Sequence, residues 1–301
     1  MSSYNGEQFI DQQIDSILKQ KNVDVNLLIR DDGSKDNSIQ VINRFISIND
    51  RIRLIIGENI GSKNSFSELL RIVKEEYSDF DYYAFSDQDD YWESNKLDAA
   101  LNIICGDNSD LPILYCSNLK VTDSDLNILG WMRPKGLVFS KDASLAESIC
   151  TGCTMVFNYK AIDLYCVAVR ARIMSHDLWM SHICGFLGRV YYDNDGYIFY
   201  RQHSNNQIGA HFSTLDKLKM KFSSLINLWH QHDREKEAVN FINVYNDYLK
   251  DEDRFIIGVL AYYRKNLKSR LQLLFPRKRH SIKRQISTNF WFYIRAIFGF
   301  L

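Results

Sequence analysis

The sequence predicts an α/β sandwich built on a mainly parallel sheet, and three observations predict it. Short apolar runs alternate with segments of helical periodicity through the first hundred residues. The runs are continuous, as in strands covered on both faces, and do not alternate with polar residues. Acidic loops follow two of them: Asp31-Asp32 after one, and Asp87, Asp89 and Asp90 after another. Open α/β sheets place their sites there, outside the carboxyl ends of the strands.

The elements follow in order. Residues 7–20 set Ile10, Ile14, Ile17 and Leu18 on one helical face. Residues 25–29 (VNLLI) form a strand that stops at Asp31-Asp32-Gly33-Ser34. Asp36 is placed to cap a helix with Ile39, Ile42 and Ile46 inward. Residues 52–56 give a second strand, and Phe66, Leu69, Leu70 and Val73 a helical stripe. Residues 82–85 form a third strand that runs into Ser86-Asp87-Gln88-Asp89-Asp90-Tyr91-Trp92, and Leu97, Ala100, Leu101 and Ile104 resume helical spacing. Further on, residues 113–116, 154–157 and 190–192 read as strands, and 160–172 and 177–187 as helices. From about residue 213 the chain reads as helical to its end. The expected organisation is an α/β unit over 1–212 and a helical extension over 213–301.

Composition bounds the function. Apolar residues make up 46% and charged residues 25% of 301, ordinary for a folded domain, and 3 prolines argue against long disordered linkers. Net charge is zero but uneven: residues 251–301 hold 11 Lys and Arg against 3 Asp and Glu, leaving 26 against 34 in the rest. A basic tail on an acidic body suggests contact with an anionic surface. The tail carries an apolar stripe (Phe255, Ile256, Val259, Leu260, Leu267, Leu271, Leu274) and ends in a twelve-residue aromatic stretch with one charge. That stretch is too short to span a bilayer but suits an interfacial anchor, and it favours a membrane surface over nucleic acid. The alternative is a helical cap packed on the main domain. Six scattered cysteines imply no disulfide framework, and the lone Cys150-Thr-Gly-Cys153 lacks the second pair a zinc site needs. No secretory signal is visible, and a cytoplasmic location fits.

Three carboxylates in four positions, Asp87, Asp89 and Asp90, repel one another. EF-hand spacing fails from Asp87, and neither a phosphate-cradling GxxxxGK[ST] nor HExxH occurs. What remains is an Asp-x-Asp that holds Mg²⁺ or Mn²⁺ together with substrate phosphates, or an aspartate that caps the following helix. Asp31 and Asp32 suit a base N–H or a ribose hydroxyl, or an Asx turn. Asp177 suits a general base, or a helix N-terminus. Arg201 and His203 suit phosphate or metal, or a solvated loop.

Taken in order, Tyr4-Asn5-Gly6-Glu7, Asp31-Asp-Gly-Ser-x-Asp36, Ser86-Asp-Gln-Asp-Asp-x-Trp92, Thr151-Gly-Cys-Thr-Met155, His176-Asp177 and Arg201-Gln-His-x-Asn-Asn206 resemble the family 2 glycosyltransferases over about residues 1–210. The Asp-Gln-Asp-Asp form resembles the rhamnosyltransferase-like branch that builds bacterial surface polysaccharides. The resemblance implies a GT-A fold and inverting transfer from a nucleotide-diphosphate sugar, dTDP- or UDP-linked, to a saccharide or lipid-linked saccharide. It implies a nucleoside pair at Asp31 and Asp32, with Tyr4, Asn5, Glu7, Lys63, Asn64 and Gln88 also in the donor site. It further implies metal ligation by Asp87 and Asp89, a general base at Asp177, and diphosphate or metal contacts from Arg201 and His203. The expected setting is the inner face of the cell membrane, met peripherally through the tail. Family members carry an apolar strand immediately before the Tyr-Asn-Gly-Glu segment. Only Met1-Ser2-Ser3 precedes it here, so a truncated first strand and an incomplete nucleotide pocket are expected. The rival readings are a nucleotidyltransferase and an inactive nucleotide-sugar binder or membrane scaffold.

Overall fold

The structure, a computed structural model, describes residues 1–145, 147–168, 173, 175–202, 233–274 and 297. Its first layer alternates strand and helix: β1 (Ser2–Ser3), α1 (Ile10–Leu18), β2 (Leu27–Asp31), α2 (Ser38–Ile46), β3 (Ile52–Ile56) and α3 (Ser62–Glu76). The three strands form a parallel sheet in the order β1-β2-β3. Ile10, Ile14 and Ile17 of α1 pack with Ile29 of β2 and Ile42 of α2, the contact their spacing predicts.

The second sheet is mixed. Its strands are β4 (Tyr83–Ala84), β5 (Tyr91–Trp92), β6 (Ile113–Thr122), β7 (Ile128–Trp131), β8 (Val156–Phe157) and β9 (Arg189–Arg201), in the order β4-β8-β6-β9-β5, with β7 on β6. Only β6 and β9 run parallel; the other pairs are antiparallel. The near-continuous burial of β6 reflects its place at the centre. Around it lie α4 (Lys96–Ile104), α5 (Lys141–Ser144), α6 (Tyr159–Val167) and α7 (His176–Leu187).

β1 pairs with β2 only at Arg30 and Asp31. Leu27 and Leu28 therefore border a cavity of about 510 Å³, walled on its far side by Tyr83, Ala84 and Phe85. The Met1 amine donates to Leu28 O (2.7 Å) at the mouth of this gap.

The carboxyl-terminal helices α8 (Asp233–Tyr245), α9 (Asp251–Tyr262) and α10 (Leu267–Leu274) share a core with the α/β body. Trp179 of α7 lies against Phe241 (ring centroids 5.2 Å apart) and Tyr245 (5.9 Å). The Tyr245 hydroxyl donates to Leu164 O (2.8 Å), and buried His182 meets buried Glu237 at 3.2 Å. This revises the reading of the tail stripe. Ile256, Val259 and Leu260 are buried in the shared core, where α9 packs against α8 and α10. Phe255, Leu267 and Leu271 are exposed. The basic segment near 277–284 and the aromatic end lie outside the described residues, Ile297 apart. Among the described residues no helix is long and apolar enough to cross a membrane.

The cysteine reading also changes. Cys116 of β6 and Cys150 form a disulfide, with Cα atoms 5.7 Å apart. They are 34 residues apart in sequence, and only the fold brings them together.

Tyr245→Ala removes a fully buried ring from this shared core. It is expected to cost about 3–5 kcal/mol, the usual range for a buried aromatic. Urea unfolding checks it; a midpoint unchanged from the parent chain would mean that α8 is not part of the core.

Candidate active site

Loops from both layers meet at the carboxyl ends of β2 and β4. The first is knotted by its own aspartates. Asp31 accepts from the Gly33 and Ser34 N–H groups (3.1 and 2.7 Å) and from the Ser34 and Ser3 hydroxyls (2.6 and 3.1 Å). Asp32 pairs with the buried Arg30 guanidinium and accepts from the Ile60 and Gly61 N–H groups (3.0 and 2.8 Å). Both carboxylates are buried. The Asx-turn reading of Asp31 therefore holds locally, and Asp32 fastens the β3–α3 loop that leads to Lys63 and Asn64.

The Tyr4-Asn5-Gly6-Glu7 segment bridges this loop to the acidic one. Asn5 N–H donates to Ser34 Oγ (2.9 Å), and Asn5 Oδ1 accepts from Lys35 N–H (2.8 Å). Glu7 accepts from both nitrogens of Asn37 (2.9 and 2.8 Å). Asp36 accepts from the Glu7 and Ser38 N–H groups (3.0 Å each), so it ties the segment to the start of α2. On the other side Gln88 clasps Tyr4 through both its side-chain atoms, accepting from N–H (2.8 Å) and donating to C=O (3.0 Å). A Cβ at Gly6 would sit 2.3 Å from Gln88 Oε1, so the clasp requires glycine there.

Residues 86–92 carry the acidic cluster between β4 and β5. Gln13 donates to Ser86 Oγ (2.9 Å), and Trp92 N–H donates to Ser16 Oγ (3.1 Å), pinning both ends to α1. Asp87 is half-buried; burial first, then the charges of Asp89 and Asp177, push its carboxyl up to about 7. Asp90 turns inward and is fully buried beside Cys153, and burial raises both groups. Lys96 is buried on the same side, its Nζ 3.5 Å above the Trp92 ring, and burial lowers it to about 7. Neither Asp89 nor Asp90 caps the next helix: α4 begins at Lys96 behind Asn95, which makes no side-chain cap bond.

Asp177 stands at the start of α7, within electrostatic reach of Asp87. Its Oδ1 accepts from Ser175 Oγ (2.5 Å) and Leu178 N–H (2.8 Å). Beside it His176 stacks on Phe66 (3.9 Å between centroids) and meets the Phe85 ring edge-on (4.8 Å). Gly152 lets this helix start approach: a Cβ there would lie 2.9 Å from His176 Nε2 and 3.4 Å from Asp177 Cβ. Arg201, at the end of β9, is buried, with its guanidinium over the Phe9 ring (4.7 Å). Its terminal nitrogens donate to Gln12 Oε1 and Ser124 O. The charges of Asp90 and Asp89 reach it as well. His203 lies outside the described residues.

Among the described residues, ligand atoms of Asp87, Asp90 and Cys153 fall within 4.8 Å of one another. The Asp90–Cys153 side already faces a cation of its own, Lys96. The Asp87–Asp89 side faces a third carboxylate, Asp177, and the like charges there are the condition a divalent cation relieves. The donor set fits a hard ion held by Asp87 and Asp89.

With the loops in place, the comparisons decide the family. The model of the family described as glycosyl transferase family 2 matches residues 1–165, more than half of the sequence. The chain belongs to glycosyl transferase family 2. Within the family it is 29% identical over 250 residues to a Shigella flexneri protein named dTDP-rhamnosyl transferase RfbG, covering 79% of this chain and 83% of that one. It is 28% identical over 157 residues to the Escherichia coli glucosyltransferase WfgD, named for UDP-Glc and a GlcNAc-diphosphoundecaprenol acceptor, covering 52% and 57%. The fold is that of GT-A glycosyltransferase structures. S. aureus TarS in complex with UDP-GlcNAc superposes with a TM-score of 0.55 at 14% identity, over 98% of this chain and 88% of that one. The Pyrobaculum calidifontis mannosyltransferase PcManGT, in complex with GDP-Man and Mn²⁺, gives 0.51 at 12%, over 99% and 86%.

Tyr4, Asn5, Glu7, Asp31, Asp32, Asp87, Gln88, Asp89, Asp177 and Arg201 thus converge on one region. Arg30, Gln13 and Lys96 were missed, and Gly152 and Cys153 stood in the Thr151–Met155 motif without an assigned role. Lys96 had a signal: it falls at i−4 and i−8 from buried Ala100 and Ile104, a charge on an apolar stripe.

The raised carboxyl of Asp87 has a stability consequence. Its folded-state value lies above the unfolded one, so the stability it contributes is present at low pH and is lost as pH rises through about 7. Asp87→Asn is therefore expected to stabilise the protein in EDTA at pH 8 by about 1–3 kcal/mol, an advantage that shrinks towards pH 5. Denaturant melts at the two pH values check it; a pH-independent difference would refute the crowding.

Proposed function

We propose that this chain is an inverting glycosyltransferase that moves a sugar from a nucleotide-diphosphate donor to a saccharide acceptor. The observation that carries the proposal is that Asp177, at the start of α7, lies near enough for its charge to act on Asp87 in the loop that also carries Asp89. The donor nucleoside lies against the loops fastened by Asp31 and Asp32, with Lys63, Asn64, Tyr4, Asn5 and Glu7 at its border. Asp87 and Asp89 hold Mg²⁺ or Mn²⁺. That cation, when bound, neutralises the charge growing on the departing diphosphate. Asp177 takes the proton of the acceptor hydroxyl as that oxygen attacks the anomeric carbon, and a single displacement inverts it. Ser175 and the Leu178 N–H keep one Asp177 oxygen fixed and leave the other to the acceptor.

Similarity to RfbG supports a dTDP-rhamnose donor, and similarity to WfgD supports a lipid-linked acceptor. A lipid-linked acceptor and the basic character of residues 251–301 together support work at the inner membrane face, in cell-surface polysaccharide synthesis.

Calorimetry with dTDP-rhamnose and UDP sugars, in Mg²⁺ or Mn²⁺, tests the reading. One donor is expected to bind the parent chain, and Asp89→Ala to abolish the metal dependence of that binding. Asp177→Asn is expected to keep donor affinity within about threefold while kcat falls at least ~10²-fold, the scale of general-base catalysis. Absence of binding by every nucleotide sugar would sink the proposal.

Gly152→Ala is expected to displace His176 and Asp177 and lower kcat roughly tenfold or more, since small misplacements of a reacting group cost that much. A kcat equal to that of the parent chain would separate Gly152 from the base.

A further inference from the structure

Arg30 stands near the end of β2. Ile29 is buried with α1 and α2, so by strand alternation Leu28 and Arg30 face the other side, towards α3. The guanidinium there is taken out of water, with Arg30 only 5% exposed. Such a charge needs a partner and acceptors for its N–H groups. It finds them on three separate segments. Nη1 pairs with the Asp32 carboxylate and donates to Ser65 Oγ (3.2 Å) in the first turn of α3. Nη2 donates to Glu58 O (3.1 Å) in the β3–α3 loop. Asp32 in turn accepts from the Ile60 and Gly61 N–H groups of that loop, and Ser65 accepts from the Ser2 hydroxyl of β1 (2.7 Å). The loop passes close over the guanidinium: a Cβ at Gly57 would lie 2.5 Å from Nη2. Gly57 is not in the left-handed region, so the demand for glycine there is one of space.

We infer that Arg30 is a positioning residue for donor binding: its planar fork holds Asp32, residues 57–61 and the start of α3 together as one wall of the donor site. The inference rests on the functional reading above for what that wall holds. Geometry gives Arg30 its leverage. Lys63 and Asn64 stand between Glu58 and Ser65, the two points that Arg30 holds beyond β2. Asn64 is tied to the same loop, its Nδ2 donating to Ile60 O (2.8 Å). The wall is thereby referenced to β2, which is itself paired on both sides by β1 and β3. A lysine would carry the same charge, but as a point on a flexible stem it cannot serve acceptors on three segments in one plane. Arg30 touches no group of the transfer step, so its loss is read in nucleotide affinity.

The test titrates the full chain and its variants Arg30→Lys, Arg30→Met, Gly57→Ala and Arg30→Lys/Gly57→Ala with dTDP and with UDP, each in Mg²⁺, by calorimetry. Arg30→Lys and Gly57→Ala are each expected to bind the preferred nucleotide about tenfold more weakly or worse, the scale of one charge-assisted hydrogen bond. Arg30→Lys is expected to melt above Arg30→Met, because Asp32 keeps a cation, yet to bind nucleotide no better. A lysine that restores parent affinity overturns the inference, since charge balance alone would then be the role of Arg30. Gly57→Ala keeps every charge, and it carries the test if the Arg30 variants do not fold; parent affinity in Gly57→Ala also overturns the inference. In the Arg30→Lys background Gly57→Ala is expected to add no more than about twofold, because both act on one contact. Fully additive losses would show that Gly57 does not act through the guanidinium, and would overturn it too. Should the parent chain bind neither nucleotide, the donor reading fails, and the wall is judged by amide hydrogen exchange. Faster exchange at Ile60 and Gly61 in Gly57→Ala than in the parent chain supports it; equal exchange overturns it.

Discussion

The structure around the site is organised against one constraint, the repulsion among Asp87, Asp89 and Asp177. Burial first, and then the neighbouring charges of Asp89 and Asp177, raise the cost of ionising Asp87. A loop free to relax would swing these groups apart into water. The chain prevents this with short ties of separate origin. Gln88 clasps Tyr4, Gln13 and Ser16 hold the two ends of the acidic loop, and Ser175 with the Leu178 N–H holds Asp177. Each tie is modest alone, about 1 kcal/mol for a typical hydrogen bond. Together they hold the negative charges at the carboxyl ends of β2 and β4.

A second principle is that several acidic residues are consumed in building the site. Asp31 and Asp32 accept from six donors between them that can be named: four backbone N–H groups and the hydroxyls of Ser3 and Ser34, with Arg30 in addition. Their charge is spent on fixing two loops. Asp36 and Glu7 do the same across the start of α2. A motif rich in aspartate is here as much a folding device as a binding one.

Much of this was legible in the sequence, and the limits have physical causes. The strand at 52–56 was found, and the one expected at 25–29 lies at 27–31, because continuous apolar runs bounded by turns have few other readings. The length of β9 was missed because Asp193-Asn194-Asp195-Gly196 looks like a loop; it is a strand because β6 pairs along it through two register shifts. The types of residue in the site were readable, but their directions were not. Asp87 and Asp90 lie three positions apart in one acidic string, yet one is half-buried and within reach of the charge of Asp177 while the other is fully buried. Cys153, beside Asp90, comes from a distant segment and approaches only once the chain has folded. The Cys116–Cys150 bond and the shared core of the terminal helices were hidden for the same reason, since both join segments distant in sequence.

Trp179 lies two residues beyond Asp177 on α7, and its other neighbours are Phe241 and Tyr245 of α8. The helix that begins with His176 and Asp177 is therefore the same helix on which the carboxyl-terminal segment rests. This bears on how such chains diversify. A recombination joint between α7 and α8 would set Trp179 against a foreign surface and disturb Asp177 from behind. A tail exchanged together with α7 would keep Trp179 against the rings it meets here, so Asp177 and the carboxyl-terminal helices belong to one packing unit.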